Sequence, residues 1–247
     1  IFGAAWAFIP AYLQAKRGSH IVITTIMFNF IASSLMVYLL VDVIRDMKQM
    51  GPHTVALPKE LWLPSFKDLA ALFGIKIRYS PLNASFLLAI AASFFVWFLV
   101  WKTKWGYEMR AVGHNTQAAI YAGISPYKNI IIAMLISGGL AGLLSINEIL
   151  GVHHKIVSGF PAGYGFTGIA VALMGRNHPI GIFPAAFLFG ILYQGGSEVT
   201  FDMPNITRYM FVAVQGVIIL FSGALENLFR PQIESFFVNR INREAVV

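Results

Sequence analysis

The chain has 247 residues, of which 57% are hydrophobic and 12% charged. A soluble domain carries about 25% charged residues, and the apolar residues here run in blocks too long for one small core, so lipid is their solvent. The net charge of +7 does not point to nucleic acid, because the basic residues lie between the apolar blocks and form no single stripe. The lack of cysteine excludes disulfides and zinc–thiolate sites.

The pattern predicts an all-α fold, a polytopic bundle of about seven membrane segments forming one domain over residues 1–247. The opening Ile1-Phe2-Gly3 carries no Met and no basic n-region, so the chain is expected to be N-terminally truncated. Ile1 to Ala15 reads as the end of a spanning helix, closed by Lys16-Arg17-Gly18. Ile21 to Val41 is long enough to cross, since about 20 helical residues cover the hydrocarbon core. A polar connection, 42–83, follows with four prolines and Trp62. Ala84 to Trp101 is the third block and ends in aromatics suited to an interface belt. A polar loop over 102–128 leads to Asn129–Leu150. The Gly-rich block Gly159–Gly175 has a regular part, Gly165–Gly175, that rises only about 16 Å as a helix. It is either extended by Gly159–Tyr164 or is a broken, re-entrant element. Pro179–Gly196 and Ile206–Ala224 are the last blocks, and 226–247 is a polar tail.

Basic residues set the orientation. Lys16 and Arg17, the loop 102–128 and the tail fall on one side of an alternating path, which the positive-inside rule makes cytoplasmic. The connection 42–83 then lies outside, although it holds Arg45, Lys48, Lys59, Lys67, Lys76 and Arg78.

The loop is the richest segment. Asn115 suits the N-cap of a short helix Thr116–Ala122, and Gly123 suits the position that ends it. Ser125 then caps the next helix, with Pro126 in its first turn. A connector or a docking element both fit this pattern. Gly138 and Gly142 make a small-xxx-small pair for close helix packing. Polar residues within apolar blocks are pathway candidates. Asn29 lies between Phe28 and Phe30, and Gln215 lies mid-block; each either lines a pathway or bonds another helix. Phe166, Gly165 and Gly168 mark the Gly-rich bend. Glu148, near the outer end of its helix, is expected to reach interfacial water. His153 and His154 are adjacent and cannot share one helix face. No His-Glu-x2-His occurs, so no metal site is expected. No Gly-x4-Gly-Lys-Ser/Thr loop occurs either, and no Gly-Lys pair, so no nucleotide site of that kind is recognisable.

The loop Tyr107–Ile124, with Glu108, Arg110, Ala111, Gly113, Asn115, Ala118, Ala119 and Gly123, resembles the cytoplasmic coupling segment of bacterial ABC importer permeases. Ile23-Thr-Thr-Ile-Met-Phe-Asn-Phe30 and Gly163-Tyr-Gly-Phe-Thr-Gly-Ile-Ala-Val-Ala-Leu-Met-Gly-Arg-Asn-His-Pro-Ile-Gly181 are similar to the same group, which serves simple sugars, nucleosides and branched-chain amino acids. The purine-nucleoside-type branch matches best, with Thr167 standing where an acidic residue is expected. The resemblance implies a multi-pass permease subunit of the bacterial inner membrane, not an enzyme, forming the path for a neutral nucleoside or simple sugar. It implies no cofactor in this chain, because ATP and Mg are bound by a partner ATPase. Other implied partners are a second permease subunit and an extracytoplasmic substrate-binding protein. Competing readings are a branched-chain amino acid permease and an ion-coupled secondary transporter. The lack of an acid or base at mid-depth argues against proton coupling in the latter.

Overall fold

The computed structural model describes residues 1–46, 51–67, 82–160, 163–203, 210–218 and 220–221. The fold is all-α, and among the described residues the only extended pairing is two isolated antiparallel bridges, His53 with Val157 and Ser65 with Asn83. The chain divides into two compact units, Ile1–Ala162 and Gly163–Val247.

The first unit carries α1 (Phe2–Arg17), α2 (Ile21–Tyr38), α3 (Ser85–Lys102), α4 (Lys104–His114), α5 (Thr116–Tyr121) and α6 (Pro126–Ser145). Two of these run on into wider π-helical turns, α2 through Leu39–Val43 and α6 through Ile146–His153. The second unit carries α7 (Tyr164–Met174), α8 (Pro179–Asp202) and a helical stretch over 210–218. The predicted tail, 226–247, and part of the last apolar block lie outside the described residues.

Four described stretches are long and apolar enough to cross a membrane: Ile21–Val43, Ser85–Lys102, Pro126–His153 and Pro179–Asp202. Only 6% of each of the first three is buried within the chain, so their apolar sides need lipid or another chain as solvent. The first block is a 16-residue helix that ends as expected at Gly18, in the left-handed region at φ 68°. The Gly-rich block forms an 11-residue helix. It starts at Tyr164 after Gly163, whose φ is 82°, so the glycines before it do not lengthen it.

Side chains inside these helices also find partners in the chain. Thr24 Oγ1 donates to the His20 carbonyl (3.0 Å) and Thr25 Oγ1 to that of Ile21 (2.9 Å). Such bonds satisfy hydroxyls where water is absent.

Helix α1 lies antiparallel on α6 at bare-backbone distance. A Cβ on Gly3 would sit 2.4 Å from the Gly138 carbonyl oxygen, and one on Gly138 would sit 2.5 Å from Ala7 Cβ. Small residues allow this approach, and dispersion between the backbones then holds the pair. The contact is uneven along the helix. A Cβ on Gly139 would meet only Ala4 Cβ at 3.9 Å, and one on Gly142 only Gly3 Cα at 3.9 Å. In the second unit, Ala170 and Val171 of α7 pack on Ala185 and Phe189 of α8. Phe211 closes on Gly196, where a Cβ would lie 2.6 Å from the ring.

Gly138→Ala is therefore expected to destabilise the protein by about 1–3 kcal/mol through overpacking. Gly139→Ala should be neutral or stabilising by up to about 1 kcal/mol, because helix propensity favours Ala. Unfolding of the detergent-solubilised variants in a denaturing-detergent titration separates the two; equal behaviour would contradict the packing.

Candidate functional site

Between α3 and α6 the chain makes a short, fastened excursion. Thr103 is extended (φ −110°, ψ 159°) and breaks the helix. Its hydroxyl donates to the Leu99 carbonyl (2.6 Å) and accepts from the Gly106 amide (3.2 Å). Gly106 is buried, and a Cβ there would lie 2.2 Å from the Leu99 oxygen and 2.3 Å from that of Val100. Only glycine lets α4 double back this closely on the end of α3.

Glu108 ties α4 to α6. Its Oε2 accepts from the amide of buried Asn129 (3.4 Å), and Asn129 also donates to the Ser125 carbonyl (3.1 Å). Lys104 Nζ lies 3.9 Å from Glu108 Oε1, an exposed contact that adds little. Arg110 lays its guanidinium over the Trp101 ring at 4.6 Å. Ala111 is half-buried, while Gly113 is exposed with open space around its Cα.

Asn115 caps α5 as its sequence suggests: its Oδ1 accepts from the Ala118 amide at 3.0 Å. The helix ends on paired bonds, Ile124 N–H to the Ala119 carbonyl and Gly123 N–H to that of Ile120, both 2.9 Å. Gly123 sits at φ 76°. This is the Schellman arrangement, and it requires a left-handed residue at that point. Ser125 takes the cap position of α6 with Pro126 following, but its side chain makes no capping bond. Its carbonyl holds Asn129 instead. Ala119 is buried, whereas Ala118, Ile120 and Tyr121 face outward, Tyr121 at 92% exposure.

The pathway candidates fall at separate places. Phe28 packs edge-on against Trp6 of α1, with centroids 6.0 Å apart. Asn29 and Phe30 are exposed on α2. In the second unit, Phe166 is exposed on α7, with open space beside Gly165 and Gly168. Gln215 is half-buried in the stretch 210–218.

A polar cluster at the far end of α6 was not anticipated. Asn147 Oδ1 accepts from Ser85 Oγ (2.6 Å) and from Asn83 Nδ2 (3.2 Å). Asn83 Oδ1 accepts from the Ser85 amide and is the alternative acceptor for the single proton of the Ser85 hydroxyl. Asn147 Nδ2 donates to Glu148 Oε1 (3.1 Å), and His153 Nε2 lies 3.5 Å from Glu148 Oε2. Glu148 does not reach interfacial water as expected: it is buried, and chain partners replace water on both carboxylate oxygens. Gly151 makes room, since a Cβ there would lie 2.2 Å from Asn83 Nδ2.

The connection before α3 closes over this end. Leu63 N–H donates to the Leu150 carbonyl (3.0 Å), Leu57 N–H to that of His154 (2.8 Å) and Thr54 N–H to that of Ile156 (3.2 Å). Trp62 stacks on His154, with centroids 3.8 Å apart at 8°. The adjacent histidines thus diverge, His153 toward Glu148 and His154 onto Trp62.

A profile of the family described as branched-chain amino acid transport system / permease component matches residues 1–223. The chain belongs to this permease family. It is a multi-pass membrane protein and a transport component. Over 222 residues it is 36% identical to the guanosine ABC transporter permease protein NupP of Bacillus subtilis, covering 89% of this chain and 61% of that one. It is 32% identical over 244 residues to the glucose ABC transporter permease protein TsgB13 of Haloferax volcanii, covering 98% and 63%. It is 35% identical over 226 residues to the nucleoside ABC transporter permease protein NupB of Lactococcus lactis, covering 87% and 59%. The chain thus spans about three fifths of the length of these relatives. No solved structure matches it.

In this permease the cluster around Asn147 is a structural tie with no slack. Asn147→Leu leaves the Asn83 amide and one Glu148 oxygen without that partner, at about 1–3 kcal/mol for each group left unsatisfied, while the Ser85 hydroxyl keeps Asn83 Oδ1. Gln194 is exposed and bonds the exposed Glu198, so Gln194→Leu should stay within about 0.5 kcal/mol. Thermal unfolding in detergent should rank Asn147→Leu far below Gln194→Leu; a matched pair would refute the cluster.

Proposed function

We propose that the chain is the membrane-spanning permease subunit of an ATP-binding-cassette importer, carrying a neutral small solute, a nucleoside first and a simple sugar second. The observation that carries this reading is the match over most of the chain to permease proteins named for guanosine, nucleosides and glucose. The absence of a phosphate-loop motif from the sequence agrees with an ATPase on a separate subunit that binds ATP and Mg. A second permease subunit is supported by a further relative, the guanosine permease protein NupQ, 36% identical over 160 residues and from the same organism as NupP. An extracytoplasmic substrate-binding protein and residence in the bacterial inner membrane complete the proposal.

The segment α4–α5 is the proposed docking element for the ATPase. A docking element has to move as one piece, and this one is fastened at each joint: Thr103 at its start, Glu108 to Asn129 midway, Asn115 at the second helix and Gly123 at its end. Ala118, Ile120 and Tyr121 supply the outward face. Pressure on α5 passes to α6 through these bonds, and α6 carries it along the bundle. Asn29, Phe30, Phe166 and Gln215 are proposed to line the path. Aromatic faces stack on a planar base, and amides bond hydroxyls or ring nitrogens.

Co-expressed with its ATPase, unmodified protein should pull that subunit down and support ATP-dependent uptake of guanosine. Ala118→Arg and Gly113→Pro should lower both at least tenfold while membrane levels hold. Asn29→Leu and Phe166→Ala should lower uptake alone. Uptake restricted to a branched-chain amino acid, with nucleosides failing to compete, would move the solute assignment. An ion gradient driving uptake without ATP would overturn the class.

Sidedness is checked separately. An impermeant maleimide on intact cells should label a cysteine at Glu60 and leave one at Gln117 unlabelled. The reverse result would invert the proposed orientation.

A further inference from the structure

One end of the first unit gathers positive charge. Lys16 and Arg17 end α1, Lys102 ends α3, Lys104 and Arg110 stand on α4, and Lys128 lies in the first turn of α6. They share an end because α1 runs antiparallel on α6 and Glu108 joins α4 to Asn129. Glu108 is the one acidic residue in the stretches 1–20 and 102–145, and Lys104 and Asn129 already occupy it.

Three of these cations are parked on aromatic rings. Arg110 Cζ lies 4.6 Å from the Trp101 centroid, Lys102 Nζ 5.7 Å from that of Trp97 and Lys16 Nζ 5.4 Å from that of Tyr12. Arg110 is the least satisfied, since its Nε is buried without an acceptor. A guanidinium stacked on an indole still presents a planar fork, and that fork fits an oxyanion in two-point contact. Below it, Phe94, Phe98 and Trp101 recur at i, i+4 and i+7 along α3, all exposed. This is one apolar stripe on a helix of membrane length. A fork at the end of such a stripe matches a molecule with an anionic head and an acyl tail.

We infer that Arg110, flanked by Lys102 on the Trp97–Trp101 face, binds the phosphate of an anionic phospholipid whose acyl chain follows Phe98 and Phe94. This rests only on α3 spanning a membrane, not on the solute or the ATPase. It gives Arg110 a role apart from protein docking: the lipid would steady the α3–α4 corner from the membrane side.

The test uses the purified full chain in detergent with phosphatidylglycerol or phosphatidylcholine added, and counts retained lipids by native mass spectrometry. Phosphatidylglycerol should be retained and phosphatidylcholine should not. Arg110→Gln should weaken phosphatidylglycerol retention roughly fivefold, the worth of one basic residue at an anionic surface. Arg110→Lys, which keeps the charge and loses the fork, should weaken it less. Inorganic phosphate should not compete. Should Arg110→Gln fail to fold, the unmodified chain still decides. Raising salt from about 0.1 M to about 1 M shortens screening from about 10 Å to about 3 Å and should release the lipid. Salt-insensitive retention, equal retention of the two lipids, or displacement by inorganic phosphate would overturn the assignment. So would an Arg110→Gln protein that keeps its lipid but no longer captures the ATPase.

Discussion

No water reaches the hydrocarbon core of a membrane, so every backbone polar group there needs a partner from the chain itself. Most of this structure follows from that constraint. The apolar blocks become helices of 18 to 28 residues, because a helix satisfies its backbone without a neighbour. Hydroxyls within them turn back on their own carbonyls, as Thr24, Thr25, Ser145 and Thr200 do. The connection before α3 is held to the end of α6 through Leu63, Leu57 and Thr54.

Helix α6 is where the other parts of the first unit meet. At its start Asn129 holds α4. At mid-length Gly138 lets α1 come to backbone contact. At its π-helical end Asn147 holds the start of α3, and Leu150, with Ile156 just beyond, receives the connection. From Pro126 to His153 it has 28 residues, about 42 Å at the usual rise. One stiff element therefore joins the α4–α5 segment to the polar cluster. A π-helical turn is rare and costs packing regularity. Here its widened turn carries Asn147 and Glu148, both bonded within the cluster.

The apolar blocks were legible because hydropathy over about 20 residues is a local property, and so were the caps at Asn115 and Gly123, though the Ser125 side chain makes no capping bond. Asn115 and Gly123 act within three to five residues of themselves, so their types report their conformations. Counting left the Gly-rich segment open between a helix extended by Gly159–Tyr164 and a broken one, and the helix starts at Tyr164. The cluster was not legible, because Asn83 and Asn147 are 64 positions apart and nothing near either names the other. Glu148 was misjudged although its partners are local, Asn147 one position before it and His153 five after; a carboxylate near a helix end usually finds water, and nothing near Glu148 in the chain announced that it is buried. Gly106 gave no signal either. It sits in the first turn of a helix, and the clash that demands glycine comes from carbonyls of the preceding helix. Among the candidate site residues, Phe28 turned out to pack on Trp6 while Asn29 beside it faces outward, a difference set by helix rotation and not by residue type.

The second unit meets the same constraint in a helix too short to cross. Eleven residues of α7 rise about 16 Å, half the hydrocarbon core. The helix must end at depth or at an edge, and its end is built to return. Asn177 N–H bonds the Ala172 carbonyl and Arg176 N–H that of Leu173. This is the pairing that closes α5, but with Arg176 at φ 54° where glycine would be free of strain. The reversal brings Gly175 onto Gly181, where a Cβ on either would meet backbone within 2.7 Å. It also seals Ala170 and Val171 against Ala185 and Phe189. The other side of α7 stays open, with Phe166, Ile169 and Leu173 exposed and bare backbone at Gly165 and Gly168. On that open side the helix thus alternates large apolar side chains with two positions that carry no Cβ. Bare backbone at these two glycines lets another surface approach α7 closely.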